Sequence, residues 1–177
     1  MTTAIEYLRL MARNNAYANE LLYEACCKLD QAAFEAERVS FFPSIRETLN
    51  HTFEVDRYYL DSLKETGKGL SVFDVPHLKT AADLKDAQAH VDRELMAFCD
   101  GLGPDDLDRK IAQDRGEEGN RFETIGNTLL HLFQHQIHHR GQVHAMLAGT
   151  DVAPPQLDEF FLEFDRHPVA GRLRSAG

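Results

Sequence analysis

Residues 129–144 read Leu129-Leu130-His131-Leu132-Phe133-Gln134-His135-Gln136-Ile137-His138-His139-Arg140-Gly141-Gln142-Val143-His144, and they carry five of the chain's nine histidines. Ile125, Leu129, Leu132, Phe133, Val143, Met146 and Leu147 recur at helical spacing through and around this stretch. That pattern predicts an amphipathic helix from about Thr124 to about Ala148, with Gly149 as its stop. Residues four apart on a helix lie one above the other on the same face. His131 with His135, and His135 with His139, both have that spacing, so either pair can offer two imidazoles to one cation.

Working outward, three earlier segments show the same periodicity. The first runs from about Thr3 to Leu29, with Leu8, Met11, Asn15, Ala18, Leu22 and Ala25 on one stripe and Thr3 and Glu6 at capping-box spacing. The second runs from about Ser44 to Lys64, after Pro43, with Ser44 and Glu47 repeating that spacing. It places Ile45, Thr48, His51, Val55 and Tyr58 on one side. The third runs from about Thr80 to Asp100, and Gly101, Gly103 and Pro104 stop it. Four long helices joined by moderate loops predict a helical bundle in a single domain spanning residues 1–177. Between the third and fourth helices, Leu107, Arg109, Ile111 and Gln113 alternate before a Gly116–Gly119 turn, which predicts a short β-hairpin. After Pro154-Pro155, Leu157, Phe160, Phe161 and Phe164 predict a short C-terminal helix covering the bundle with its aromatic face.

Charge and composition narrow the function. The net charge of −10, from 29 acidic against 19 basic residues, argues against a nucleic-acid partner, which needs a basic stripe to displace counterions. It argues equally against anionic lipid. No apolar run reaches the length of a membrane span. The N-terminus lacks the basic start and apolar stretch of a signal peptide. Three cysteines, Cys26, Cys27 and Cys99, are odd in number and partly adjacent, which suits reduced thiols rather than a disulfide framework. A cytoplasmic location is therefore expected.

Two imidazoles from one helix need a third ligand from a neighbour, and His51 on the second helix is the best placed. Imidazole nitrogen suits zinc, nickel, copper or iron(II). Three histidines leave coordination positions open, as catalytic sites do. No glutamate follows the first histidine of either pair, so the metalloprotease signature is absent. His77, His90 and His167 are expected on loops or exposed faces, and His144 lies about half a turn round from His135.

The string Leu129 to Gln142 resembles the signature of the DinB family, within the wider DinB/YfiT-like superfamily of bacterial proteins. Thr48-Leu49-Asn50-His51-Thr52-Phe53-Glu54-Val55-Asp56-Arg57 is similar to the family's first-histidine motif. Met11 to Leu22 resembles its opening pattern, with Tyr17 in place of tryptophan; Gln134 stands where asparagine is frequent. The resemblance implies an all-α, up-down-down-up four-helix bundle that often forms a homodimer. It also implies one divalent metal ion, nickel, zinc or iron, held by His51, His135 and His139, with His131 and His138 as neighbours. Because the superfamily includes thiol-dependent transferases, it implies a small-molecule substrate and a low-molecular-weight thiol. Metal-dependent hydrolysis, or a non-catalytic metal-binding role in a damage-inducible stress response, are the alternatives. Gln142, Arg140, Asn19 and Asp56 are the polar residues expected to orient ligands or to join helices.

Overall fold

The computed structural model describes residues 2–164 and 166–175. Four long helices dominate it: α1 (Ala4–Cys26), α3 (Ile45–Lys64), α4 (Ala81–Asp100) and α5 (Ile125–Leu147). Two short ones, α2 (Gln31–Glu35) and α6 (Pro168–Arg174), flank the bundle. Each long helix starts where a hydroxyl satisfies an orphan N–H of its first turn. Thr3 accepts from Glu6 N in a full capping box. Ser44, Thr80 and Thr124 accept from Glu47 N, Asp83 N and Asn127 N. The second long helix closes on Glu65, whose φ of 52° is left-handed, so the glycines that follow shape the next turn rather than the cap itself.

The predicted hairpin is present. Strands β1 (Lys110–Asp114) and β2 (Asn120–Thr124) pair antiparallel, with Ala112 opposite Phe122. Ile111 and Gln113 point to the bundle, and Gln113 donates to Thr128 Oγ1 on α5 at 3.0 Å.

The predicted aromatic helix is not. Residues 157–164 are turn and coil. Only Phe160 of the three phenylalanines is buried, against Tyr17, while Phe161 and Phe164 are exposed. The cause lies in the backbone carbonyls before it. Pro155 O lies 3.1 Å from His144 Nε2, and Gln156 O accepts from Tyr17 Oη at 3.2 Å. The chain is therefore pinned to the bundle through its peptide groups, and the short C-terminal helix forms later, at Pro168.

α1 and α3 each pack on both α4 and α5. Two apolar clusters fill the interior. One contains Leu8, Leu63, Leu95, Ile125, Leu129 and Leu132. The other contains Leu22, Ile45, Leu49, Leu84, Val143 and Leu147. α1 and α5 run from the first cluster to the second, and α3 and α4 run back, which is the up-down-down-up order. Between the clusters every long helix contributes buried polar residues: Asn15 and Asn19, Asp56, Gln88 and Asp92, Gln136 and Arg140. The bundle thus holds a polar layer at mid-height. None of the described helices is long and apolar enough to cross a membrane.

Candidate metal centre

His51 projects from α3 and His135 and His139 from α5, at the level of the polar layer and in the groove between those helices. One ring nitrogen from each lies within 4.8 Å of the other two. His51 Nε2 and His135 Nε2 are 3.1 Å apart. Two nitrogens bound to one ion at about 2.0–2.1 Å sit about 2.9 Å apart at a right angle and about 3.4 Å apart at a tetrahedral angle. The observed His51–His135 separation falls inside that interval, as two ligands of one cation would. Among the described residues no fourth histidine, cysteine or carboxylate joins the group.

The neighbours fix how the rings present their lone pairs. Gln142 Oε1 lies 2.7 Å from His139 Nδ1, and Gln142 Nε2 lies 3.3 Å from His138 Nε2. An amide oxygen only accepts and an amide nitrogen only donates. His139 therefore carries its proton on Nδ1 and leaves Nε2 bare for a ligand bond, as in metal sites whose second ring nitrogen is hydrogen-bonded. The same amide occupies His138 as an acceptor, which takes that ring out of the set. Phe42 stacks on His51 with ring centres 4.3 Å apart and lies 5.7 Å from His139. It comes from the segment before α3, closed by Arg38 N donating to Pro43 O at 2.7 Å.

Burial pushes the His51 imidazole down to about 4, helped by His139. Burial, then the neighbouring imidazoles, push His135 down to about 3. His139 is also lowered by burial, with Gln142 pulling the other way. The buried His135 Nδ1 has no hydrogen-bond partner among the described residues. All three rings are thereby kept neutral near pH 7, which is the form that ligates a metal.

A family model, described as "DinB family", matches residues 1–168. The chain belongs to the DinB family. Protein DinB of Bacillus subtilis (strain 168) is 24% identical to it over 150 residues, covering 79% of this chain and 85% of that protein. The crystal structure of a DinB-like protein from Bacillus cereus ATCC 10987 has the same fold, with a TM-score of 0.61 at 18% identity, covering 79% of this chain and 90% of that one.

In this DinB-family chain the remaining histidines stand apart. His131 is exposed, with its ring 6.3 Å from that of His135 and 5.1 Å from Tyr59. His77 and His90 are exposed, His144 faces Pro155 O, and His167 caps α6. Of the four polar residues expected near the site, Gln142 touches a histidine of the group. Arg140, Asn19 and Asp56 belong to the buried layer. There Arg140 donates to Asn19 Oδ1 at 3.0 Å, to Gln136 Oε1 at 3.1 Å, and to Asn15 Oδ1. Asn15, Asn19 and Gln88 donate to Asp92, and Gln88 and Gln136 to Asp56. Burial pushes Asp56 up to about 8, assisted by Asp92. Burial pushes Asp92 up to about 6 against its amide donors. Arg140, lowered by burial to about 10, remains the layer's cation at neutral pH. Sequence reading missed Phe42, Gln88 and Asp92. Phe41-Phe42-Pro43, two aromatic residues before a helix-starting proline, was the available signal for the first; nothing local marks the others.

Proposed function

We propose that this DinB-family protein holds one divalent ion, nickel, zinc or iron, through His51, His135 and His139. We propose further that it works as a metal-dependent enzyme of the thiol S-transferase class. The observation that carries this is the meeting of three neutral imidazoles, from two helices, with no fourth protein ligand among the described residues. Closed structural sites have four ligands; three leave room for a substrate. A bound divalent cation supplies the Lewis acidity that favours the thiolate form of an incoming thiol.

The chain's own residues define the rest. Gln142 orients His139, and Phe42 covers one side of His51. The nucleophile comes from outside the chain. Cys26 and Cys99 are buried with thiols pushed up to about 12 by desolvation, and the Cys27 thiol is raised as well. None of these is a ready thiolate. We take the protein to act on a small-molecule substrate as a one-domain homodimer in the cytoplasm. Exposed Leu130 and Ile137 on α5 support the dimer.

The test is elemental analysis of gently purified protein, followed by a panel of low-molecular-weight thiols offered to epoxide, alkyl halide and activated alkene acceptors. Stoichiometric metal with metal-dependent conjugation is expected. Metal without conjugation points to the stress-response role, and turnover of esters or amides instead points to hydrolysis. Either result overturns the transferase reading.

A further inference from the structure

A cleft of about 370 Å³ lies along α5 past His139, and none of the three histidines lines it. Arg38, Val39 and Ser40 form one wall, and Gln142, Met146 and Gly149 on α5 form the other. It joins the group through two residues. Gln142 belongs to the cleft and also contacts His139. The segment that lines the cleft with Arg38 continues to Phe42, which stacks on His51. The volume falls in the ordinary range for small-ligand sites.

The cleft's chemistry is amphipathic with a cation at one end. Val39 and Met146 offer apolar surface. Arg38 is half-buried, and its guanidinium donates to Ala36 O and Ala33 O, each at 2.8 Å. These bonds hold the side chain in place yet leave the rest of its five N–H donors for another acceptor. Among the described residues it makes no ion pair. That is notable in a chain with net charge −10. A fixed, unpaired guanidinium presents the fork that matches a carboxylate. From His139 to Met146 is seven residues of helix, about 10 Å of rise at 1.5 Å each.

We propose that this cleft seats the non-reacting arm of the small molecule that meets the metal, and that Arg38 binds a carboxylate on that arm. This rests on the thiol reading above and adds the substrate's charge and length: a thiol carrying an anionic group several bonds from its sulfur.

The experiment uses the full chain loaded with cobalt(II) or nickel(II), with 6-mercaptohexanoate and its uncharged twin 6-mercaptohexan-1-ol as probes. Affinity is read from the sulfur-to-metal charge-transfer band. The acid is expected to bind about tenfold tighter than the alcohol at low ionic strength, the scale of one hydrogen-bonded charge pair. Salt should reduce that preference. Arg38→Gln should erase it while leaving metal content and alcohol affinity unchanged, and Arg38→Lys should keep part of it. Equal affinities in the wild-type protein, or an undiminished preference in Arg38→Gln, would overturn the carboxylate site and leave the thiol reading standing. A fully metal-loaded protein that gives no band with either probe would overturn the thiol reading, and the carboxylate site with it.

Discussion

Replacing Arg140 with methionine removes the cation from the centre of the buried polar layer. Three amide oxygens, of Asn15, Asn19 and Gln136, lose their charged donor. Asp92, 4% exposed, loses the nearby positive charge that helps keep it ionised. A buried acceptor left without a donor costs about 1–3 kcal/mol, and taking one partner from a buried charge pair costs about 3–5 kcal/mol. The two figures overlap, since the same groups are counted in both, and methionine's apolar burial offsets part of the loss. The net expectation is a destabilisation of about 3–5 kcal/mol, or a fall in Tm of roughly 6–20 °C for a chain of this length. Urea denaturation at neutral pH, followed by far-ultraviolet circular dichroism, measures it as a drop in midpoint at constant slope. The double variant Arg140→Met with Asp92→Leu should recover part of the stability, because both charges are then gone. A loss below about 1 kcal/mol, the scale of an exposed pair, would show that the layer is wet and that its charges are solvated rather than mutually compensated.

His135→Ala should lose most of the bound metal while keeping its helical content, checked by elemental analysis beside circular dichroism; stoichiometric metal in the variant refutes the ligand assignment. Gln142→Leu should weaken metal affinity about 10–100-fold, the usual cost of releasing a ligand histidine from its hydrogen-bond partner, as read by competition with a chromophoric chelator; an unchanged affinity refutes the orienting role. Stability should carry a pH term from Asp56 and Asp92. Both carboxyls titrate above their ordinary values in the folded chain, so the folded state keeps protons that the unfolded state has already released. That term falls as pH rises from about 4 to about 8. Asp56→Asn removes its share, so the stability of wild type relative to this variant should decline over that range, measured from urea midpoints at its two ends; a difference that rises with pH refutes the assignment.

The helices were legible because their apolar spacing and their caps agree: Thr3, Ser44, Thr80 and Thr124 all serve as N-caps. The hairpin was legible from the alternation that ends with Ile111 and Gln113 facing inward. The histidines were half legible. Spacing names two pairs on α5 with equal weight; the family resemblance favours His135 with His139, and the position of α3 brings His51 against those two while His131 stays exposed. A one-dimensional pattern carries no information about which turn of one helix faces which turn of another. The same limit explains the aromatic run after Pro154. Phe160, Phe161 and Phe164 have helical spacing, but two carbonyl groups on that segment are engaged by Tyr17 and His144, and periodicity does not register such bonds. Phe42 and Asp92 went unseen for this reason too: each matters through a contact far away in the chain.

α5 alternates its duties residue by residue. His135 and His139 turn toward the groove with α3, while Gln136 and Arg140, one step on, are bonded to Asp56 of α3 and to Asn15 and Asn19 of α1. Sliding or turning α5 would tear that interior lattice, so the three rings form a fixed mould. Diversification of chemistry on this frame is thereby steered to the stretch between α2 and α3, where Arg38 to Phe42 border the mould without being woven into the lattice and can be rewritten at little structural cost.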